Sequence, residues 1–136
     1  MREAEVIVAS ARMLVGTPFR PQGHDPARGL DCIGLAAVAC GVPSEALQDD
    51  YRLSGKGQGE RLRNALPKHF RRVSRASRRA GDLLLLRPGR GQWHLAISTG
   101  TGFVHADVRR RTVVETPGEP GWPIAAVYRL RSRKGR

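Results

Sequence analysis

The stretch QWHLAISTGTGFVHA, residues 92–106, decides the fold. Trp93, Leu95 and Ile97 alternate with His94, Ala96 and Ser98, which is the period of a strand. Gly100-Thr101 then fits a two-residue hairpin turn, and a second strand follows. That turn pairs Thr99 with Gly102, Ala96 with His105 and His94 with Asp107. The apolar set is core-like. The other face is small apart from its histidine, as the floor of a groove would be. In this register His94 and His105 share a face as diagonal neighbours, ~7–8 Å apart and within reach of ring side chains. A slip of one residue would send them to opposite faces.

Further strands lie on both sides of this hairpin. DLLLL (82–86) precedes it; RTVVET (111–116) and IAAVYRL (124–130) follow. The first half reads differently. Residues 3–15 form an amphipathic helix with Val6, Ile7, Ala11 and Leu14 on one face. Residues 16–29 are rich in Gly and Pro and form an ordered loop. A second helix over 31–40 is ended by Gly41 and Pro43. Ser44 to Asp49 make a short turn, YRLSGKGQGE (51–60) a loop, and 60–69 a short helix. Helices first and strands second indicate an α+β fold with an antiparallel sheet. One domain covers 1–130, and the basic tail 131–136 is expected to be disordered.

Within RGLDCIGLAA (28–37) a cysteine stands where loop becomes helix. With Asp31 as the cap, Cys32 occupies the first turn, beside unpaired amides and the positive dipole end. Both favour thiolate over thiol, so its pKa is expected below the ~8.5 of a free cysteine. The same amides suit a carbonyl oxygen that becomes negative on attack. Cys40 lies eight residues on, ~12 Å away along a helix, beyond the ~7 Å span of a disulfide. It reads as a small core residue, and the spacing is poor for zinc. A nucleophile needs a base. Of four histidines, His69 closes a basic helix and faces solvent, and His24 lies in the loop. His94 and His105 on one face, with Cys32 at a helix start, form a nucleophile, a base and an orienting group. Asp107, set opposite His94, is the rival orienting group.

The chain has 136 residues, a net charge of +12 and a pI near 11.4. All but three of its 24 basic residues are arginine, densest in 70–80, 108–112 and 129–136. No aromatics interleave with them as stacking platforms, so specific nucleic-acid binding is disfavoured. The alternatives are a solvated arginine-rich surface and attraction to an anionic polymer such as a cell wall. No run reaches the ~18 apolar residues of a membrane span, so membrane insertion is not expected. The amphipathic N-terminus is not read as a signal peptide; synthesis in the cytoplasm is expected.

These residues resemble the NlpC/P60 cysteine peptidases. The segments are GTPFRPQGHDPARGLDCIGLA (16–36), GDLLLLRPG (81–89) and WHLAISTGTGFVHA (93–106), in the family order. The likeness is nearest to the phage-type branch of tail-tip modules and gene transfer agents, where GTPYRHQ, DCLGL and VVETP recur; VVETP here is 113–117. The resemblance implies a papain-like fold, N-terminal helices packed on a C-terminal antiparallel sheet. It implies Cys32 as nucleophile, His94 as base and His105 as its orienting residue, with no cofactor and no metal. It implies hydrolysis of amide bonds in peptidoglycan stem peptides, with other tail proteins as neighbours and action at the wall from a phage-like particle. Phe19 stands where the family usually has an oxyanion-side Tyr, leaving the Cys32 amide and His24 for that task. Ile33 stands where Ser is typical. Asp31 matches a position that contacts the peptide amine in some relatives. A structural tail protein retaining the fold with little activity is the alternative that Phe19 favours.

Overall fold

The computed structural model describes residues 3–47 and 58–131. Helix α1 (Ala4–Met13) buries Ile7, Val8 and Ala11, with Leu14 just beyond its end. Val6, expected on the buried face, is 47% exposed, and Val8 takes its place. The chain then wraps into a small ribbon, β1 (His24–Asp25) against β2 (Gly29–Leu30), inside the segment expected to be loop. Helix α2 (Cys32–Cys40) follows at once. Asp31 caps it, its carboxylate accepting the Gly34 amide at 2.7 Å, and Gly41 ends it in the left-handed region at φ 72°. Both features are the expected ones. Almost every residue of α2 is buried, because α1, the ribbon and the sheet surround it. A Cβ on Gly34 would run into the Gly23 carbonyl, so glycine there lets the wrap close over the helix start.

Helix α3 (Gln58–Ala65) continues into a 3₁₀ turn, Leu66–Lys68. The expected turn after α2 is a 3₁₀ turn over Ser44–Ala46; its continuation and most of the 51–60 loop lie outside the described residues, as does most of the basic tail. Six strands then form one antiparallel sheet: β3 (Phe70–Val73), β4 (Leu83–Leu86), β5 (His94–Ser98), β6 (Gly102–Asp107), β7 (Thr112–Pro117) and β8 (Ile124–Leu130). Their spatial order is β3-β8-β4-β5-β6-β7. The hairpin register is the expected one: Ile97 pairs with Val104 and Ser98 with Phe103, and Thr99 N–H donates to Gly102 O at 2.9 Å. Gly100 turns the chain at φ 94°.

Strand β4 shows how the sheet is buried. Leu83 and Leu85 enter the main core with α1 and α2; Leu84 and Leu86 enter a second cluster with Ala96, Phe103 and Val127. The Ala96 face is therefore not a groove floor along its length. Phe103 and Val127 cover it, and only its His94 end stays partly open. Beside this cluster, Asp82 is 1% exposed and takes Arg129 on both oxygens, at 2.8 and 2.9 Å, with the Arg79 amide at 2.9 Å.

Candidate active site

Cys32 opens α2 and is 2% exposed. In the first turn, Asp31 side chain and carbonyl take the amides of Gly34 and Leu35. The amides of Cys32 and Ile33 are left for the sulfur or for an oxygen near it. A third amide, from Leu95 on β5, also meets the sulfur. This places the thiol against the strand that carries His94, one residue away. Burial, then the Asp31 charge, pushes the Cys32 pKa up to about 12, against those amides. The expected low pKa is thus reversed: a dipole argument weighs only the cysteine's own helix, and the elements packed around α2 close the thiol off from water.

His94 Nε2 and His105 Nδ1 are 2.9 Å apart, with the rings edge-on at 87°. The diagonal register thus yields a direct contact. Burial, then the neighbouring His105, lowers the His94 pKa to about 4, with Asp107 opposing. Burial also lowers that of His105. Both rings are neutral at pH 7. The shared hydrogen bond occupies Nε2 of His94 and leaves Nδ1 uncommitted. For Nδ1 to accept a proton, Nε2 must carry one and donate it to His105 Nδ1. Asp107 does not take the orienting place. Its carboxylate bonds the amides of Arg109 and Arg110, at 2.9 and 3.2 Å, and the Arg110 guanidinium. It acts on the pair through charge alone.

The other expected residues lie around the helix start. Asp31 is 1% exposed; its Oδ2 has no hydrogen-bond partner, and burial raises its pKa against the Gly34 amide and the His24 charge. His24 is exposed on β1. Phe19 is half-buried against the main core, bridged to Leu30, with its amide on Arg111 O at 2.9 Å. Ile33 is fully buried and belongs to the core. Two tryptophans flank the site: Trp93, expected on the core-like face of β5, and Trp122, which nothing in the sequence pattern marks. Trp93 lies under the guanidiniums of Arg63 and Arg87, and Trp122 stands against both histidine rings. A lone loop tryptophan has no periodicity to place it, and its neighbours emerge only from the strand order. Among the described residues no group of His, Cys, Asp and Glu has the arrangement of a metal site.

No family model and no curated protein matches the chain. Solved structures do. The NlpC/p60 domain of the peptidoglycan hydrolase SagA matches at 28% identity and TM-score 0.56, covering 85% of this chain and 90% of that one. This chain has the NlpC/P60 fold. The peptidoglycan hydrolase RipB from Mycobacterium tuberculosis shares the fold at 23% identity and TM-score 0.63, over 95% of this chain and 65% of that one. NlpC2 from Trichomonas vaginalis does so at 16% and 0.68, over 93% of this chain and 46% of that one. The chain thus spans less than half the length of the Trichomonas protein. The α+β, papain-like architecture is the one expected, with the helices packed on a large antiparallel sheet of the NlpC/P60 type.

Proposed function

We propose that the chain is a cysteine peptidase that hydrolyses peptidoglycan, with Cys32 as nucleophile, His94 as base and His105 as orienting residue. One observation carries this reading: the His94–His105 hydrogen bond sits on the strand whose Leu95 amide meets the Cys32 sulfur. Likeness to two peptidoglycan hydrolases supports the substrate class. The resting site holds a neutral thiol beside neutral imidazoles. Proton transfer therefore accompanies attack. The thiol proton passes to His94 Nδ1 as the sulfur bonds to the amide carbon of a stem peptide. The oxygen of the tetrahedral intermediate takes the amides at the α2 start. His94 then protonates the departing nitrogen, the C–N bond breaks, and a thioester remains. Water attacks it with His94 as base, releasing the acid and restoring the thiol. Phe19 offers no hydroxyl to the oxyanion, so that charge rests on backbone amides.

The finer setting is a component of a phage-tail or gene-transfer-agent particle, supported by GTPFRPQ (16–22), DCIGL (31–35) and VVETP (113–117). Purified sacculi digested with wild type beside Cys32→Ala test the activity by mass spectrometry of released peptides. Fragments from wild type alone are expected. No release from either protein would favour the weakly active structural reading that Phe19 supports.

A further inference from the structure

Trp122 is 37% exposed, yet its indole stands edge-on to both histidines, 5.6 Å from the His94 ring and 5.9 Å from that of His105. It comes from the β7–β8 loop, which is fastened around it. Gly118 N–H donates to Thr101 O at 2.8 Å, and Glu119 pairs with Arg78 at 2.7 Å. On the far side, Arg87 N–H donates to Pro123 O at 3.0 Å. A loop tied at both ends holds its side chain in place. Phe103 meets His105 from another direction, at 5.0 Å. The pair is thus walled by two aromatic rings, and Trp122 is the one that borders solvent.

We propose that Trp122 is a positioning residue for the histidine pair: its indole holds the two rings edge-on and keeps water from them. The assignment deepens the hydrolase reading and rests on it for its catalytic meaning, but the contact itself is independent of any activity. Water exclusion accords with the burial that lowers the His94 pKa. The charged and titratable groups around the pair come from several elements. Asp107 of β6 pulls both rings toward the charged form, and Arg110 pushes His105 the other way. Cys32 and Asp31 lie at the α2 start, against β5. Arg63 of α3 and Arg87 stand over Trp93, the residue before His94.

The test is a titration of the histidine ring signals by NMR in wild type, Trp122→Ala and Trp122→Phe, with kcat/KM on stem peptide measured across the same pH range. In Trp122→Ala the pair should titrate ~1 unit or more higher, as water reaches the rings. Trp122→Phe, which keeps an aromatic wall, should restore most of the difference. The acid limb of kcat/KM should move with the ring signals, so that the loss is greater at pH 5 than at pH 8. A titration unchanged in both variants, or shifted equally in both, overturns the proposal. The ring signals are read without substrate, so they decide the positioning role even for a protein that proves inactive on sacculi.

Discussion

Two buried carboxylates, Asp31 and Asp82, are each 1% exposed and are finished in opposite ways. Asp82 accepts from Arg129 through both oxygens and from the Arg79 amide, and Arg129 goes on to Ser77 O at 3.0 Å. Both carboxylate oxygens of that clasp have partners, as do Nε and Nη2 of Arg129. Asp31 bonds the Gly34 amide through one oxygen, and the other has no hydrogen-bond partner. In the same candidate site, His94 and His105 are held neutral by burial. The contrast separates polar groups that close the fold from polar groups left ready to react. Unsatisfied buried groups are costly and concentrate where function needs them. Substitutions at the site should therefore cost activity with little stability, and substitutions in the clasp the reverse.

The largest expected effect is at the site. His94→Ala should lower hydrolysis by ~10²–10⁴-fold, the usual worth of a general base, with its urea midpoint close to wild type. A midpoint that collapses along with the rate would erase the contrast. At the clasp, Asp82→Ala strands the Arg129 guanidinium, at the cost of about 3 kcal/mol. Urea unfolding should show that loss, while kcat of the folded fraction stays near wild type. His105→Asn keeps a group that can bond the His94 ring and should retain part of the activity, down by ~10-fold. Near-complete loss would make His105 more than an orienting residue. The Arg78–Glu119 pair, open to solvent on its Glu119 side, sets the lower end, and Arg78→Ala should change stability by less than ~1 kcal/mol.

Acid sharpens the same contrast. His94 titrates near 6.5 when unfolded and near 4 when folded. Between those values the unfolded chain binds more protons, so stability is fully present above 6.5 and is lost as pH falls through 4. Cys32 acts at the other limit. Its pKa is raised from 9.0 to about 12, so its contribution is fully present below 9.0 and is lost as pH rises through 12. Urea titrations across pH should show both slopes. His94→Ala should weaken the acid one and Cys32→Ala remove the alkaline one.

How much of this was legible in the sequence depended on whether the signal was local. The hairpin register followed from a two-residue turn and a period of two, and these brought His94 to His105. The Asp31 cap and the Gly41 stop follow from the chemistry of their own residues. Strand β3 was hidden because it is an edge strand, and FRRV carries two exposed arginines where alternation would otherwise show. The Cys32 pKa runs against the sequence because the helix dipole is local and the burial comes from elements packed around α2, among them β5, some sixty residues on. Trp122 is illegible for the same reason: its partners are brought to it by the sheet order and by nothing within GEPGWP (118–123).

The central claim is that Cys32 becomes acylated with His94 as its base. Wild type, Cys32→Ala and His94→Ala can each be mixed with a stem peptide, quenched in acid during turnover, digested and read by mass spectrometry at the peptide bearing residue 32. The acyl mass should sit on Cys32 in wild type and be missing from both variants. Peptide cleavage at an undiminished rate in Cys32→Ala, with no adduct on Cys32 in wild type, would contradict the mechanism outright.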